Sequence, residues 1–344
     1  MSIMDASTTY LLQHLQHGTN ALWLADENSQ GIWPTLANFA PALKVASNRF
    51  DLARAAQAWG IPTSFSDWQF DADSRFDGIF LRVCKEKAVN QHLIRKAFLH
   101  LNQNGSLWIA GEKNEGIKSI WDYATNIFDS AVRLKKHGSV YAGALTKASD
   151  RSVDEANIYH QIQIICEWEG APVFSKPGVY GWDKIDAGSA LLLQHLRSES
   201  SLWSDAKSML DLGCGYGFLT LASSWLRCER RVATDNNAGA LECMKINARE
   251  RKLAVETVAA DKGDDVKGKF DLVLCNPPFH RGFDVDGDLT REFLFAARQK
   301  LAPTGIAIFV VNSFIALEKK LEGIFTSART LADNRQFKVL ALKP

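Results

Sequence analysis

Met209-Leu210-Asp211-Leu212-Gly213-Cys214-Gly215-Tyr216-Gly217-Phe218 is the stretch that decides how the chain is read. A short apolar run leads into three glycines at alternate positions, and a further apolar segment, Leu219 to Leu226, follows. That order predicts strand, tight turn, helix. Glycines permit positive φ and let a ligand approach the main chain closely. The first turn of the helix offers unpaired N–H groups. The next strand, Arg231-Val232-Ala233-Thr234, ends at Asp235. A carboxylate about 20 residues past the glycines suits two ribose hydroxyls. Because position 218 is Phe, the spacing is G-x-G-x-G and not G-x-G-x-x-G. The pattern favours a nucleoside without phosphates, such as S-adenosylmethionine (SAM), over a dinucleotide.

The length, 344 residues, predicts two domains. Net charge is +1, so no global field points to a polyanion. Residues 1–170 carry 16 Lys+Arg against 18 Asp+Glu, and residues 171–344 carry 24 against 21. The six cysteines (84, 166, 214, 228, 243, 275) show no C-x-x-C and no metal spacing with histidine, as in a reduced cytosolic protein. No signal segment or membrane-length apolar run is present, so the expected location is cytoplasmic.

Strands at Ala21–Ala25, Leu43–Ser47, Phe76–Leu81 and Gly105–Ile109 alternate with helices at about Thr9–His17, Arg49–Trp59 and residues 86–103. This predicts parallel βαβ units. The order then returns. Val45-Ala46-Ser47-Asn48 matches Val232-Ala233-Thr234-Asp235, Phe76-Asp77-Gly78-Ile79 matches Phe270-Asp271-Leu272-Val273, and Leu101 to Gly105 matches Leu301 to Gly305, at offsets of 187, 194 and 200. Offsets that drift between strands fit loop insertions. The fold expected is α/β with two tandem Rossmann-like domains, residues 1–170 and 171–344. The first copy lacks the glycines, has Asn48 opposite Asp235, and has Arg82-Val83-Cys84-Lys85 opposite Asn276-Pro277-Pro278-Phe279. It reads as a scaffold or substrate-docking domain. Between the copies, Ile158–Glu167 reads as a strand, Val173–Gly178 as a linker, and Asp186-Ala187-Gly188-Ser189 as the opening of a helix.

The apolar run Phe270–Cys275 ends in Asn276-Pro277-Pro278-Phe279-His280. Two prolines remove two N–H donors and leave carbonyls beyond the strand's carboxyl end, where open α/β sheets bind ligands. Asn276 adds an acceptor and Phe279 a flat face. Two acceptors and a stacking ring suit an exocyclic amino group on a planar ring.

The pair Asp-x-Gly-x-Gly-x-Gly and Asn-Pro-Pro-Phe resembles class I SAM-dependent amino-methyltransferases. Asn-Pro-Pro-Phe-His, the upstream Val-Phe-Ser…Asp-x-Gly-Ser element, the degenerate first copy and the length resemble the bacterial ribosomal RNA small subunit methyltransferase C family, over essentially the whole chain. Extra residues around Val179-Tyr180-Gly181-Trp182 depart from that family's pattern. The resemblance implies an enzyme that methylates a guanine N2 amino group of 16S rRNA in the small ribosomal subunit. A large-subunit (23S) guanine-N2 methyltransferase shares the motifs and the duplication. Release-factor glutamine methylation, a SAM-holding assembly factor without catalysis and an NAD-linked oxidoreductase are disfavoured by the duplicated N-terminal half, the amine clamp and the glycine spacing respectively. The expected site is Asn276, Pro277, Pro278 and Phe279 for catalysis. Asp211, Gly213, Gly215, Gly217, Asp235, Asp261 and Asn276 are expected to hold SAM, Asp211 through the glycine turn or the SAM amino group and Asp261 through the adenine amino group. Arg281, Arg291 and Arg298 are candidate phosphate contacts or parts of a solvated helix face, and His280 touches RNA phosphate or, the favoured reading, caps a loop. Cys214 and Cys275 are packing residues. No metal, no membrane and a monomer are expected.

Overall fold

The computed structural model describes residues 4–153, 158–278, 280–281, 284–285, 287–315 and 317–344. The chain divides into two compact units, Met1–Gln161 and Ile162–Pro344. In the first, α1 (Ala6–Gln13), β1 (Ala21–Leu24), α2 (Trp33–Ala37), β2 (Leu43–Ser47), α3 (Phe50–Ala58), β3 (Thr63–Phe65), β4 (Phe76–Arg82), α4 (Lys87–His100), β5 (Leu101–Glu112), α5 (Ile117–Phe128), β6 (Lys135–His137) and β7 (Val140–Thr146) follow one another. The second opens with β8 (Gln163–Trp168), β9 (Ala171–Ser175), α6 (Ala187–Ser198), β10 (Ser208–Leu212), α7 (Phe218–Ala222), β11 (Arg230–Asp235), α8 (Ala238–Glu250), β12 (Glu256–Ala259) and β13 (Phe270–Cys275). A short ribbon, β14 (His280–Arg281) and β15 (Asp284–Val285), precedes α9 (Gly287–Lys300), β16 (Leu301–Asn312), α10 (Leu317–Lys320), β17 (Ser327–Asp333) and β18 (Phe337–Lys343).

Each unit is built on a seven-stranded sheet, ordered β3-β2-β1-β4-β5-β7-β6 in one and β12-β11-β10-β13-β16-β18-β17 in the other. Element for element this is one topology twice. Six strands of each sheet run in one direction, and the one next to the edge, β7 or β18, runs against its two neighbours. Strands such as Phe270–Cys275 are buried along nearly their whole length, as expected of a parallel sheet covered on both faces.

Fine detail repeats as well. Where β4 meets β5, pairing jumps from Phe76–Leu101 to Gly78–Ser106. Where β13 meets β16, it jumps from Phe270–Leu301 to Leu272–Ile306. Both bulges contain a glycine. A Cβ on Gly105 would lie 2.9 Å from the Asn102 carbonyl and 3.0 Å from that of Phe76, and one on Gly305 would lie 2.7 Å from the Phe270 carbonyl. The helices before the first strands also match, in residues the strand comparison overlooks. Asp5-Ala6-Ser7-Thr8 caps α1 as Asp186-Ala187-Gly188-Ser189 caps α6. Leu11-Leu12-Gln13-His14-Leu15 is then repeated as Leu192-Leu193-Gln194-His195-Leu196.

Three expectations shift. Val173–Ser175 is no linker, because it lies in β9, paired with β8. That hairpin spans residue 170 and belongs with the second unit: buried Asn247 on α8 bonds both backbone groups of Phe174, at 2.8 Å each. Ile158–His160 is a 3-10 turn, and the strand begins at Gln163. The third concerns register. Ala21 pairs with Leu43, and Met209 with Arg231. Ala25 N–H donates to the Ala46 carbonyl as Gly213 N–H donates to that of Thr234. The copies therefore align at an offset of 188 here, not 187, and Ser47, not Asn48, stands where Asp235 does. Ser47 Oγ accepts the Arg49 N–H at 3.1 Å, just as Asp235 Oδ1 accepts that of Asn237 at 2.8 Å. The V-A-S and V-A-T runs match residue for residue only at 187, so the letters point to the wrong register, and pairing to a neighbouring strand corrects it.

Gly305→Ala forces a methyl against fixed backbone. It should destabilise its unit by about 1–3 kcal/mol, and Gly105→Ala should do the same to the other. Urea unfolding of both variants measures this, and unchanged transitions would show that the bulge backbone yields.

Candidate active site

The order β12-β11-β10-β13 puts the glycine turn after β10, with Asp235 at the end of β11 on one side and Asn276 after β13 on the other. With strands about 4.8 Å apart, the two side chains flank a crevice roughly 10 Å across. It lies where the strand order reverses, with β11 and β12 added on one side of β10 and β13 on the other, the place where open α/β sheets bind ligands.

The turn is held from several sides. The N–H groups of Gly213 and Cys214 both donate to the Thr234 carbonyl at 2.9 Å. Gly215 N–H donates to Asp235 Oδ2 at 2.8 Å, while Asp235 Oδ1 takes Asn237 N–H. All three glycines have positive φ, but for different surroundings. A Cβ on Gly217 would collide with Met244 Sδ at 1.9 Å, whereas one on Gly215 would meet nothing within 4 Å. Gly217 is needed for packing, and Gly215 keeps the outer side of the turn clear for a ligand.

Asp211 is fully buried. Its Oδ2 accepts from Thr220 N–H at 3.0 Å and from Thr220 Oγ at 2.7 Å, tying β10 to α7. Its Oδ1 is buried with no hydrogen-bond partner among the described residues. Burial pushes its carboxyl up to about 7, against the opposing pull of the Thr220 bonds. Asp261 follows β12 and pairs with Lys262. Cys214 and Cys275 are buried, and burial drives both thiols well above their usual range, consistent with packing and not with nucleophilic work.

Asn276 is the best-positioned polar group of the crevice. Its Nδ2 donates to Asp186 Oδ1 at 2.7 Å and to Ser189 Oγ at 2.9 Å. A carboxylate only accepts, so the amide must turn Nδ2 toward Asp186 and present Oδ1 on its opposite side. Asp186 is held in turn as the N-cap of α6, accepting Ser189 N–H at 2.8 Å. Pro277 is buried and Pro278 half-buried. Phe279 and the side chains of His280 and Arg281 lie outside the described residues; on α9, Arg291 is exposed and Arg298 half-buried.

Further bonds sew the segment before α6 to the turn. Asn247 Nδ2 donates to the Tyr216 carbonyl at 2.8 Å, Tyr216 Oη to that of Lys184 at 3.2 Å, and Asn237 Nδ2 to that of Gly178 at 3.2 Å. Asp186, Ser189, Asn237 and Asn247 were not among the expected site residues. The Asp-x-Gly-Ser element was a signal for the first two, but its contact with Asn276 spans 90 residues.

The first unit occupies the same place differently. Arg82 stands at the position of Asn276 and is buried. It bonds Glu115 at 2.6 Å and Asp5, the N-cap of α1, at 3.4 Å. A guanidinium only donates, so Arg82 offers no acceptor where Asn276 offers its Oδ1. Asp26 nearby is pushed up to about 7, chiefly by burial. Among the described residues, no three His, Cys, Asp or Glu gather as for a metal, and no helix is long and apolar enough to cross a membrane.

A raised carboxyl pKa means that the fold favours the protonated form. Asp211 thus contributes stability that is full below its unfolded value of 3.8 and is lost as pH rises to about 7. Asp211→Asn removes this linkage. The stability difference between wild type and variant, followed by urea unfolding, should slope between pH 4 and 7 and flatten above; a flat difference throughout would mean that Asp211 is ionised in the fold. Asp26 titrates in the same range but cancels in the difference.

Comparison with known proteins places this architecture. Residues 170–341 match the methyltransferase small domain, and residues 9–157 match the methyltransferase small domain N-terminal module. A Shewanella sediminis protein named ribosomal RNA small subunit methyltransferase C is 28% identical over 274 residues, covering 79% of this chain and 78% of its own. A Vibrio vulnificus protein of the same name is 28% identical over 313 residues and 88% of each chain. The structure of the T. thermophilus 16S rRNA N2 G1207 methyltransferase, in complex with AdoMet and guanosine, superposes with a TM-score of 0.85 at 22% identity, over 98% of this chain and 92% of that one. With the two modules together spanning nearly all of its length, the chain belongs to the methyltransferase small domain family.

Proposed function

We propose that this protein transfers a methyl group from SAM to the exocyclic N2 amino group of a guanine in 16S rRNA, and that the second unit carries the reaction. The observation that carries the reading is the fixed amide of Asn276. With Nδ2 committed to Asp186 and Ser189, Oδ1 is the group left to receive an N–H. The relatives named small subunit methyltransferase C support the rRNA substrate, and the T. thermophilus structure, with AdoMet and guanosine, supports the cofactor and the base.

The crevice fits SAM by its own chemistry. Asp235 accepts the N–H groups of Gly215 and Asn237, which fixes its carboxylate at the end of β11, where the ribose hydroxyls would lie. The open side of Gly215 admits the methionine part over the turn. Asp261, past the end of β12, is on the side where the adenine would lie. Bound there, SAM supplies a methyl already activated on a sulfonium, so no acid is needed.

A guanine amine is a poor nucleophile because its lone pair is delocalised into the ring. Asn276 Oδ1 and the Pro277 carbonyl, each accepting one N–H, would favour a pyramidal nitrogen and aim its lone pair along the transfer axis. As the N–C bond forms, the sulfonium carbon bond breaks and the sulfur keeps the electron pair. The nitrogen then sheds one proton to water. Orientation of this kind is worth up to about 7–11 kcal/mol. Phe279 would stack on the base once it has left its helix. Arg82 makes the first unit unfit for the same step, which leaves it scaffolding or substrate docking.

Mass mapping of 16S rRNA after incubation with the protein and SAM tests the reaction: one new N2-methylguanine is expected, and modification confined to 23S rRNA, or none, sinks the reading. Asn276→Ala should lower kcat by roughly 100-fold or more with SAM affinity nearly intact, whereas Asp235→Ala should weaken SAM binding. Asp186→Ala should resemble Asn276→Ala, as a positioning residue acting through it. Equal loss of SAM affinity in all three would turn Asn276 into a cofactor residue.

A further inference from the structure

We infer that the rim formed by Phe314 and the turn at Arg335 grips the RNA beside the target base, by stacking and by a phosphate contact; this rests on the reading of the protein as an rRNA methyltransferase. The two units serve as each other's control. They share one topology, so differences at equivalent places mark what the second unit adds. β16 ends at Asn312 and β18 begins at Phe337, directly opposite, so residues 313–314 and 334–336 sit together at the carboxyl edge of the sheet, on the side of Asn276. Phe337 also packs on the helix start that holds Asn276, its ring 3.1 Å from where a Gly188 Cβ would be.

The rim is built stiff. Asp333 Oδ1 accepts from Ser313 Oγ at 3.1 Å and from Arg335 N–H at 3.0 Å, so its charge is engaged within the rim. Ser313 N–H donates to the Gln336 carbonyl at 2.9 Å, and Asn334 Oδ1 takes the N–H groups of Gln336 and Phe337. On this frame Phe314 is 71% exposed, the highest value among the large apolar side chains described. Exposed Tyr180 lies across the same helix start, close enough to Asp186 to feel its charge.

The first unit has neither feature. Leu107 pairs with Leu145 as Ala307 pairs with Leu342. The place of Phe314 is therefore taken by Asn114, and that of Arg335 by Gly138. The turn requires positive φ in both copies, +65° at Gly138 and +70° at Arg335. Glycine meets that demand without strain, and arginine does not. A strained arginine and a largely exposed aromatic ring, carried on one bonded frame, are a phosphate ligand and a stacking platform. That pairing suits a single-stranded or opened RNA segment, the form in which a guanine amine becomes reachable.

The test installs the first unit's residues, Phe314→Asn and Arg335→Gly, which this fold already carries at those places. Binding of protein-free 16S rRNA is measured by filter retention, separately from methyl transfer. Phe314→Asn should weaken it roughly 5- to 150-fold, the range of one stacked base, with SAM affinity and melting temperature unchanged. Arg335→Gly should also lower the slope of log affinity against log salt by about 0.7–0.9, one phosphate contact. Wild-type RNA affinity in both variants overturns the proposal. So does a loss seen only on assembled particles, which would assign the rim to a ribosomal protein. A wild-type protein that binds 16S rRNA but never methylates it sinks the enzymatic reading alone, and the variants still decide the rim.

Discussion

One hydrogen-bonding constraint organises the catalytic end of the molecule: a helix-capping aspartate that also holds the residue just past a neighbouring strand. Asp186 Oδ1 accepts the Ser189 N–H and the Asn276 amide together. The cap fixes the aspartate, the aspartate fixes the amide, and the amide then has one face left to offer. Asn276 thereby has its donor end chosen before any substrate arrives. Preorganised dipoles of this kind need no rearrangement as the reaction proceeds.

The same device in the first unit shows how a duplicated fold diverges. Asp5 caps α1 and takes Arg82 where Asp186 takes Asn276. The sheet order, the bulge glycines and the Leu-Leu-Gln-His-Leu helix survive in both copies. What changed are the residues at the carboxyl edge: Arg82 for Asn276, Ser47 for Asp235, Gly138 for Arg335 and Asn114 for Phe314. Scaffold positions are held by packing, where a Cβ or a register slip is costly. Edge positions are not so held and can follow function.

Much of the site was legible beforehand. Three glycines at alternate positions, an acid at the next strand's end, and Asn-Pro-Pro after a buried run are local patterns. Local patterns can be read because the backbone demands behind them, positive φ and missing donors, reside in the residues themselves. The duplication was readable from strand cores for the same reason. The exact register was not, since Val45-Ala46-Ser47 matches Val232-Ala233-Thr234 at an offset of 187, while strand pairing sets the offset at 188.

By itself, then, the sequence determined the α/β repeat and marked the glycine turn and Asn276 as the candidate site. Only the tertiary structure decided which way Asn276 faces, that Asp211 bonds Thr220 through one oxygen, and that the hairpin Gln163–Ser175 belongs to the second unit. It also brought Ser313 and Phe314 against the turn at Arg335. The physical reason is common to all four. An amide, a carboxylate or a strand edge takes its role from a partner that folding brings to it, from as few as 9 to as many as 90 residues away.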